Sequence, residues 1–281
     1  MPRLVLITTL AMLAFAANSL LCRVALRDTT IDAASFTAIR LASGAAMLAL
    51  IVRGRGGRPM EAGSWAAAVC LFGYAAFFSF AYTQLSAATG AILLFGAVQT
   101  SMLSWGFVIG ERLRRLQIAG LLAALAGLVY MLLPGLSAPP LLGAAFMIAA
   151  GLSWTGYSML GRETKDPLKA TAGNFLRTVP FAALLFLTHQ AGQYTGTSVD
   201  HTGVLYAVLS GAITSGLGYV LWYAALPALT ATSAAVIQLC VPAIAALGGV
   251  VLLAEPLSSR LVIASLIIMG GIALTILRPR T

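Results

Sequence analysis

The sequence predicts an all-α polytopic membrane protein whose ten transmembrane helices form two inverted five-helix repeats. Hydrophobic residues make up 60% of the chain and charged residues only 9%, whereas a soluble domain carries roughly 25% charged residues. The apolar runs are long and unbroken, as in Val241–Ala254. Part of the first half also recurs in the second, because the offset that aligns Glu111 with Glu255 also aligns Leu122 with Leu266. Such a chain exposes its surface to lipid and is built from an internal duplication.

Helices rather than a barrel explain the apolar runs. Backbone polar groups in hydrocarbon must pair internally, and a barrel would show ~10-residue segments of alternating polarity, which this sequence lacks. Helices of about 20 residues fit the runs and leave only short connections. The predicted helices span, in order, 4–22, 33–52, 63–84, 88–109, 113–133, 140–160, 170–189, 202–225, 230–253 and 258–277.

The first helix has one feature of a secretory signal, because Ala14-Phe15-Ala16 matches a cleavage-site pattern. Its polar pattern recurs in the sixth helix, however, where Ser158 and Arg162 correspond to Ser19 and Arg23. A repeat partner predicts that this helix is retained.

The basic residues predict the orientation. With a cytoplasmic N-terminus, most of the 17 Lys and Arg residues lie on the cytoplasmic side, and only Arg23, Arg27 and Arg260 lie outside. This asymmetry follows the positive-inside rule, so both termini are predicted to be cytoplasmic. The net charge of +9 is thereby explained without a nucleic-acid partner.

The predicted repeats are an N-terminal unit, 1–135, and a C-terminal unit, 136–281. Since each contains an odd number of helices, the second enters the membrane upside down relative to the first. Inverted repeats with a site near the midplane between them are a transporter architecture.

Several ordered motifs resemble the repeat unit of the EamA-type carriers in the drug/metabolite transporter superfamily. The first half carries FAYTQLSAATGAIL and GERLRRLQIAGLLAALAG, and the second carries GYVLWYAALPALTATSAAVI, VPAIAAL and AEPLSSR. The resemblance implies an inner-membrane exporter of small metabolites, often amino acids, that works by alternating access. The family often has a proline in the fourth helix of each half. Pro242 fills this place in the second half as a candidate hinge, but Val98 replaces it in the first.

The acidic residues bear on energy coupling. All eight fall in or next to predicted loops, and His189 and His201 flank an external loop. Proton-driven carriers commonly use an intramembrane acid or histidine, so we expect a facilitator without strong proton coupling. Glu111 and Glu255 are interpreted as stabilising the N-termini of the fifth and tenth helices, with coupling as the alternative.

The same inventory disfavours an integral-membrane enzyme, because acid–base chemistry has almost no candidate residues. Cys22, Cys70 and Cys240 are scattered and form no metal or redox spacing. No cofactor and no metal are therefore predicted.

Aromatic and amide side chains inside the helices are the candidate substrate-binding groups. Taken together they resemble the lining of a small-molecule site, with apolar walls and a few polar points, although each alone is also explained by packing. The candidates are Asn18, Phe78, Tyr82, Phe95, Gln99, Trp154, Tyr157, Trp222 and Gln238. Pro242 removes the backbone hydrogen bond to the carbonyl of Gln238, which a substrate or a neighbouring hydroxyl would satisfy.

Two arginines lie inside predicted helices, and the repeats align them. Arg40 stands in FTAIR and Arg177 in NFLR. Snorkelling to the membrane edge is the preferred interpretation of both, and pairing with a loop acid or binding a substrate carboxylate are the alternatives.

The function predicted from these features is export of neutral amino acids, including aromatic ones, with a small-molecule substrate and the lipid bilayer as the expected partners. The lack of an acidic residue in the membrane motivates this choice, because a zwitterion can bind to carbonyls, amides and hydroxyls. Efflux of hydrophobic drugs or other metabolites by the same fold is the alternative. A monomer is compatible with the sequence.

Overall fold

The structure, a computed structural model, describes residues 2–108, 115–133, 138–191, 200–229, 234, 237, 238 and 240–276. Over these residues the secondary structure is helical, and the predicted class is confirmed. Six described helices are long and apolar enough to cross a membrane, and shorter apolar helices accompany them.

Ten helices follow one another along the described chain. They are α1 (Pro2–Asp28), α2 (Ala33–Gly54), α3 (Trp65–Tyr82), α4 (Ala87–Val108), α5 (Arg115–Leu132), α6 (Leu141–Gly161), α7 (Pro167–Ala191), α8 (His201–Ala228), α9 (Cys240–Leu253) and α10 (Ser259–Ile276). Within α8, Ser210–Leu217 is π-helical. The helices match the predicted segments in order and approximate extent, except that α9 begins at Cys240, and most of the predicted residues 230–239 lie outside the described residues.

Polar side chains cap the N-termini of several helices, at the ends of the apolar segments. The Asp32 carboxylate accepts hydrogen bonds from the backbone N–H groups of Ala34 and Ser35 at the start of α2. Ser64 caps α3 in the same way, and Asp200 caps α8. Each such cap contributes about 1 kcal/mol to helix stability.

The packing of the helices repeats itself across the two halves. The helix pairs α2–α7, α4–α9 and α5–α10 join equivalent helices of the two halves. Other contacts between the halves come in matched sets, since α3 packs on α6 as α8 packs on α1, and α4 packs on α6 as α9 packs on α1. This is the arrangement expected of two five-helix repeats related by a pseudo-two-fold axis. The predicted boundary at 135 falls outside the described residues.

The outer surface of the bundle is apolar. Large aliphatic side chains are exposed on several helices, among them Leu122, Leu184, Val251 and Leu266, which are 61–70% exposed. A soluble protein rarely exposes so much contiguous apolar surface. The chain is a multi-pass membrane protein, and these residues face lipid.

Glu255 does not begin its own helix, so that expectation is wrong. One carboxylate oxygen accepts a hydrogen bond from the backbone N–H of Ala87, at the start of α4, over 2.7 Å. The other accepts from Nε of Arg23 over 2.8 Å. Ala254, with φ of 51°, turns the chain at the end of α9 and directs Glu255 back towards α4. The favourable interaction with a helix N-terminus is real, but the helix belongs to the other half. Glu111, given the same predicted role, lies outside the described residues.

Candidate functional site

An aromatic cluster lies where the two halves meet inside the bundle. Phe15 of α1 packs edge-on against Trp154 of α6, with ring centroids 5.1 Å apart. The two residues are equivalent in the repeats, since each stands four positions before the repeated serine. Tyr74 of α3 and Tyr219 of α8 are equivalent too, since each completes a Gly-Tyr pair, and their rings lie 6.2 Å apart. The cluster therefore lies around the axis that relates the halves.

All nine predicted substrate-binding residues are buried, and none is more than 3% exposed. Trp154 is central, with Tyr219 at 4.8 Å, Tyr74 at 4.9 Å and Tyr157 at 5.7 Å between ring centroids. Trp222 joins the cluster through Phe15, at 5.8 Å. Tyr157 also stacks on a further ring, that of Tyr223. The structure therefore brings the predicted residues Trp154, Tyr157 and Trp222 together.

Phe78 and Tyr82 extend the cluster along α3. Phe78 lies 5.2 Å from Tyr74 and 4.7 Å from Tyr82, so the three rings form a continuous column. The Tyr82 hydroxyl donates to the carbonyl of Ala87 over 3.4 Å, next to the Glu255 contact. The column thus connects the central cluster to the buried ion pair at the end of the bundle.

Phe95 and Gln99 come from α4. Phe95 lines a cavity of about 10 Å³ together with Ser19, Leu94 and members of the aromatic cluster. A cavity of this size holds about one water molecule. Gln99 is buried one turn further along α4. The rings fill the predicted cavity in this state, so a substrate must displace some of them to bind.

Gln238 is held by the cluster itself. Its side-chain oxygen accepts a hydrogen bond from Trp154 Nε1 over 3.0 Å, and its amide nitrogen donates to the carbonyl of Ala234 over 3.2 Å. Pro242 is buried beside Ala88 of α4, on a groove between α4, α9 and α10. The hinge role of Pro242 stays a prediction.

Asn18 is the centre of a network of neutral polar groups. Its oxygen accepts from the hydroxyls of Ser210, Thr214 and Ser215 at 2.7, 3.3 and 3.4 Å, and its nitrogen donates to the Tyr74 hydroxyl over 3.3 Å. The three hydroxyls belong to the π-helical stretch of α8. A π-helical turn changes which side chains share a face and is frequent at functional sites. Here it directs three hydroxyls towards one amide oxygen.

The structure corrects the interpretation of Arg40 as a snorkelling residue. It is 1% exposed, so it does not snorkel to the membrane edge. Its Nε donates to the Ser215 hydroxyl over 3.0 Å and its Nη2 to the Tyr219 hydroxyl over 2.8 Å. The physical reason is the close approach of α2 and α8, since a Cβ at Gly211 would overlap the carbonyl oxygen of Arg40. That contact covers the guanidinium with protein.

Arg177, its repeat partner, donates to backbone carbonyls, and its snorkelling to the membrane edge stays a prediction. Its Nη1 donates to the carbonyls of Ala62 and Gly173 over 2.8 and 2.9 Å, and its Nη2 reaches the carbonyl of Met60 over 3.3 Å. It therefore holds the α2–α3 connection and takes no part in the cluster.

Sequence reasoning missed part of the site. Phe15 and Ser215 are not among the predicted substrate-binding residues. The available signal was the repeat itself, because Phe15 aligns with Trp154. The same alignment could have placed Tyr74 and Tyr219 opposite each other on the axis.

Comparison with known proteins identifies a family, relatives and a solved structure that are similar to this chain. The EamA-like transporter family matches residues 3–133 and 141–277. An uncharacterized protein of Pseudomonas aeruginosa is 57% identical over 280 residues, covering 99% of this chain and 96% of that one. A probable amino-acid metabolite efflux pump of Salmonella typhimurium is 25% identical over 181 residues, covering 60% of each chain. A solved crystal structure with 23% identity covers 96% of both chains at a TM-score of 0.68, which shows the same fold.

Proposed function

The chain belongs to the EamA-like transporter family, and from that premise we propose that it exports neutral amino acids, aromatic ones included, across a bacterial inner membrane. Its termini lie in the cytoplasm, and the substrate passes by alternating access between the two repeats. Membership of the family makes the protein a membrane-embedded transporter. Its substrate, the direction of transport and its orientation in the membrane are proposed.

The observation that carries the proposal is the aromatic and amide cluster on the pseudo-two-fold axis. Carriers built from inverted repeats bind substrate at the repeat interface near the midplane. The rings around Trp154 offer apolar walls, and Asn18, Gln238 and the α8 hydroxyls offer neutral donors and acceptors. An aromatic amino acid needs this combination. The similarity to a protein named as a probable amino-acid metabolite efflux pump supports the same substrate class.

The inventory of charges favours a facilitator. Among the residues that the structure describes, the aromatic cluster contains no carboxylate and no histidine. The buried carboxylate of Glu255 is engaged by Arg23 and by the start of α4. Since a proton relay needs a titratable group that changes partners in the membrane, we expect transport to run down the substrate gradient.

Uptake into proteoliposomes tests the proposal. Purified protein should accelerate the movement of radiolabelled L-phenylalanine, L-leucine and L-threonine without an imposed pH gradient, and a gradient should change the rate little. Trp154→Phe keeps a ring but loses the bond to Gln238, so the KM for phenylalanine should rise about 5- to 10-fold. The matched control is Trp65→Phe, since Trp65 is 57% exposed and lies outside the cluster.

The outcomes separate the alternatives. Equal effects of the two tryptophan substitutions would remove the cluster as the site. Folded protein that moves no amino acid, but does move hydrophobic drugs in the same assay, would replace the substrate class and keep the fold.

A further inference from the structure

We propose that Arg40 is the anchor for a substrate carboxylate, and that the transported class is organic carboxylates with an apolar or aromatic body. Amino acids are then one kind of member, and the amino group is not what the site requires. The inference rests on the proposed transport function and specifies the substrate class of the same central site.

Arg40 carries a buried positive charge that has no counter-ion among the described residues and is stabilised only by neutral groups, the rings of Tyr74 and Phe78 included. Arg40 is 1% exposed, and none of the ion pairs formed by described residues includes it. Its two bonded partners, Ser215 and Tyr219, are neutral hydroxyls. Burying a charge without an opposite charge is costly, and a buried arginine in a membrane protein is a functional candidate for that reason. An anion that arrives with the substrate would supply the missing charge.

Part of the hydrogen-bonding capacity of Arg40 is unused. A guanidinium has five N–H donors in a fixed fork. Nε and one Nη2 hydrogen are engaged, whereas Nη1 of Arg40 is buried and has no hydrogen-bond partner. The free hydrogens on Nη1 and Nη2 form the end of the fork that binds a carboxylate through two parallel hydrogen bonds. The existing bonds fix the guanidinium plane, and the donors of Nη1 remain for a ligand.

Aromatic rings surround the guanidinium of Arg40. Its central carbon lies 5.2 Å from the ring centre of Tyr74 and 5.1 Å from that of Phe78. Tyr74 also lines the small cavity beside Trp154 and Phe15. A ligand whose carboxylate met Arg40 would therefore place its body against aromatic rings once those rings move apart.

The amino group of an amino acid finds a weaker environment. The polar atoms near Arg40 are the Asn18 amide and hydroxyl groups, which are neutral. Charge-assisted hydrogen bonds are about twice as strong as neutral ones, so the carboxylate provides the dominant polar contact. Loss of the carboxylate should therefore weaken binding more than loss of the amino group.

A purely structural role for Arg40, as a tie between α2 and α8, makes a different prediction. In that case every ligand would be affected equally when Arg40 is replaced. Arg177 offers a matched control, because the repeats align it with Arg40 but both of its Nη groups donate to backbone carbonyls.

The test uses competition in proteoliposomes loaded with radiolabelled L-phenylalanine. Three unlabelled probes compete: L-phenylalanine, 3-phenylpropionate, which lacks the amino group, and L-phenylalaninamide, which lacks the carboxylate. For the wild-type protein, 3-phenylpropionate should compete as well as phenylalanine within about 3-fold, and the amide should be about 10- to 100-fold weaker. Arg40→Gln should weaken both carboxylates by the same factor and leave the amide unchanged, Arg40→Lys should be intermediate, and Arg177→Gln should preserve the wild-type order.

Binding to detergent-purified protein distinguishes failure of this inference from failure of the proposed function. Quenching of tryptophan fluorescence by 3-phenylpropionate, but not by 3-phenylpropanamide, would sustain the inference even if phenylalanine were not transported. Equal affinity of acid and amide for the wild-type protein would overturn it, whether or not Arg40→Gln folds. Uniform weakening of all probes in Arg40→Gln would also overturn it, and would leave amino-acid export standing.

Discussion

Neutralising the buried carboxylate of Glu255 should weaken the protein substantially. The Glu255 side chain is 7% exposed, and that of Arg23, its partner, is 16% exposed. The two carboxylate oxygens accept from Arg23 Nε at 2.8 Å and from the Ala87 N–H at 2.7 Å. Glu255→Gln keeps the size of the side chain and one acceptor but removes the charge. It therefore leaves Arg23 without its counter-ion in a poorly hydrated position.

The expected loss follows from these contacts. Removing one partner of a buried ion pair costs about 3–5 kcal/mol, and the amide oxygen of glutamine recovers part of this through Ala87. We expect the free energy of unfolding to fall by about 2–4 kcal/mol. Titration with sodium dodecyl sulfate in mixed micelles, followed by tryptophan fluorescence, measures the change. In a double-mutant cycle, Arg23→Gln and Glu255→Gln should couple by about 1–3 kcal/mol.

An exposed ion pair gives the matched control. Glu61 accepts from Lys169 over 2.8 Å, but its side chain is 53% exposed. The ammonium of Lys169 lowers the pKa of the Glu61 carboxyl, yet solvent screens the pair, so Glu61→Gln should leave the unfolding midpoint unchanged. If Glu255→Gln were as harmless as Glu61→Gln, or if the cycle showed no coupling, the assigned role of Glu255 as the buried counter-ion of Arg23 would be refuted.

Three further predictions follow from packing, hydrogen bonding and orientation. Gly211→Ala should abolish the folded protein, because the added methyl group would force α8 away from the backbone of α2. Gly270→Ala has open space around its Cβ and should raise the free energy of unfolding by about 0.5–1 kcal/mol. Thermal unfolding in detergent compares the two variants. Gln238→Ala should raise the KM for transport several-fold at unchanged expression, because the indole that it holds loses its acceptor, and identical transport kinetics would contradict this. In a cysteine-free background, a cysteine at Leu257 should react with an impermeant maleimide from outside and one at Arg58 only from the cytoplasm; labelling from the same side would overturn the orientation.

The helices and the duplication could be predicted because each depends on short stretches of sequence. The helices follow from unbroken apolar runs, and the duplication follows from motifs that recur in order. The candidate residues were selected by type and position inside helices, and the structure brings Trp154, Tyr157 and Trp222 into one cluster. Their role in binding remains a prediction.

The two aligned arginines mark the point at which sequence reasoning fails. Arg40 and Arg177 occupy equivalent places in similar segments, so a local pattern assigns them the same role. The environments differ because Gly211 and the π-helical stretch bring α8 against α2 and enclose Arg40. Arg177 instead contacts the connection that carries Ala62.

The sequence by itself determined the membrane class, the ten helices and the duplication, because lipid requires internally bonded backbone and apolar surface over every spanning segment. Only the tertiary structure decided which partners the few polar side chains find. Arg40 and Tyr219 are 179 residues apart and Ala87 and Glu255 are 168 apart, and both contacts join opposite halves. Such contacts depend on how the repeats dock, which no local pattern encodes, and they set where charge is buried and where a ligand would meet it.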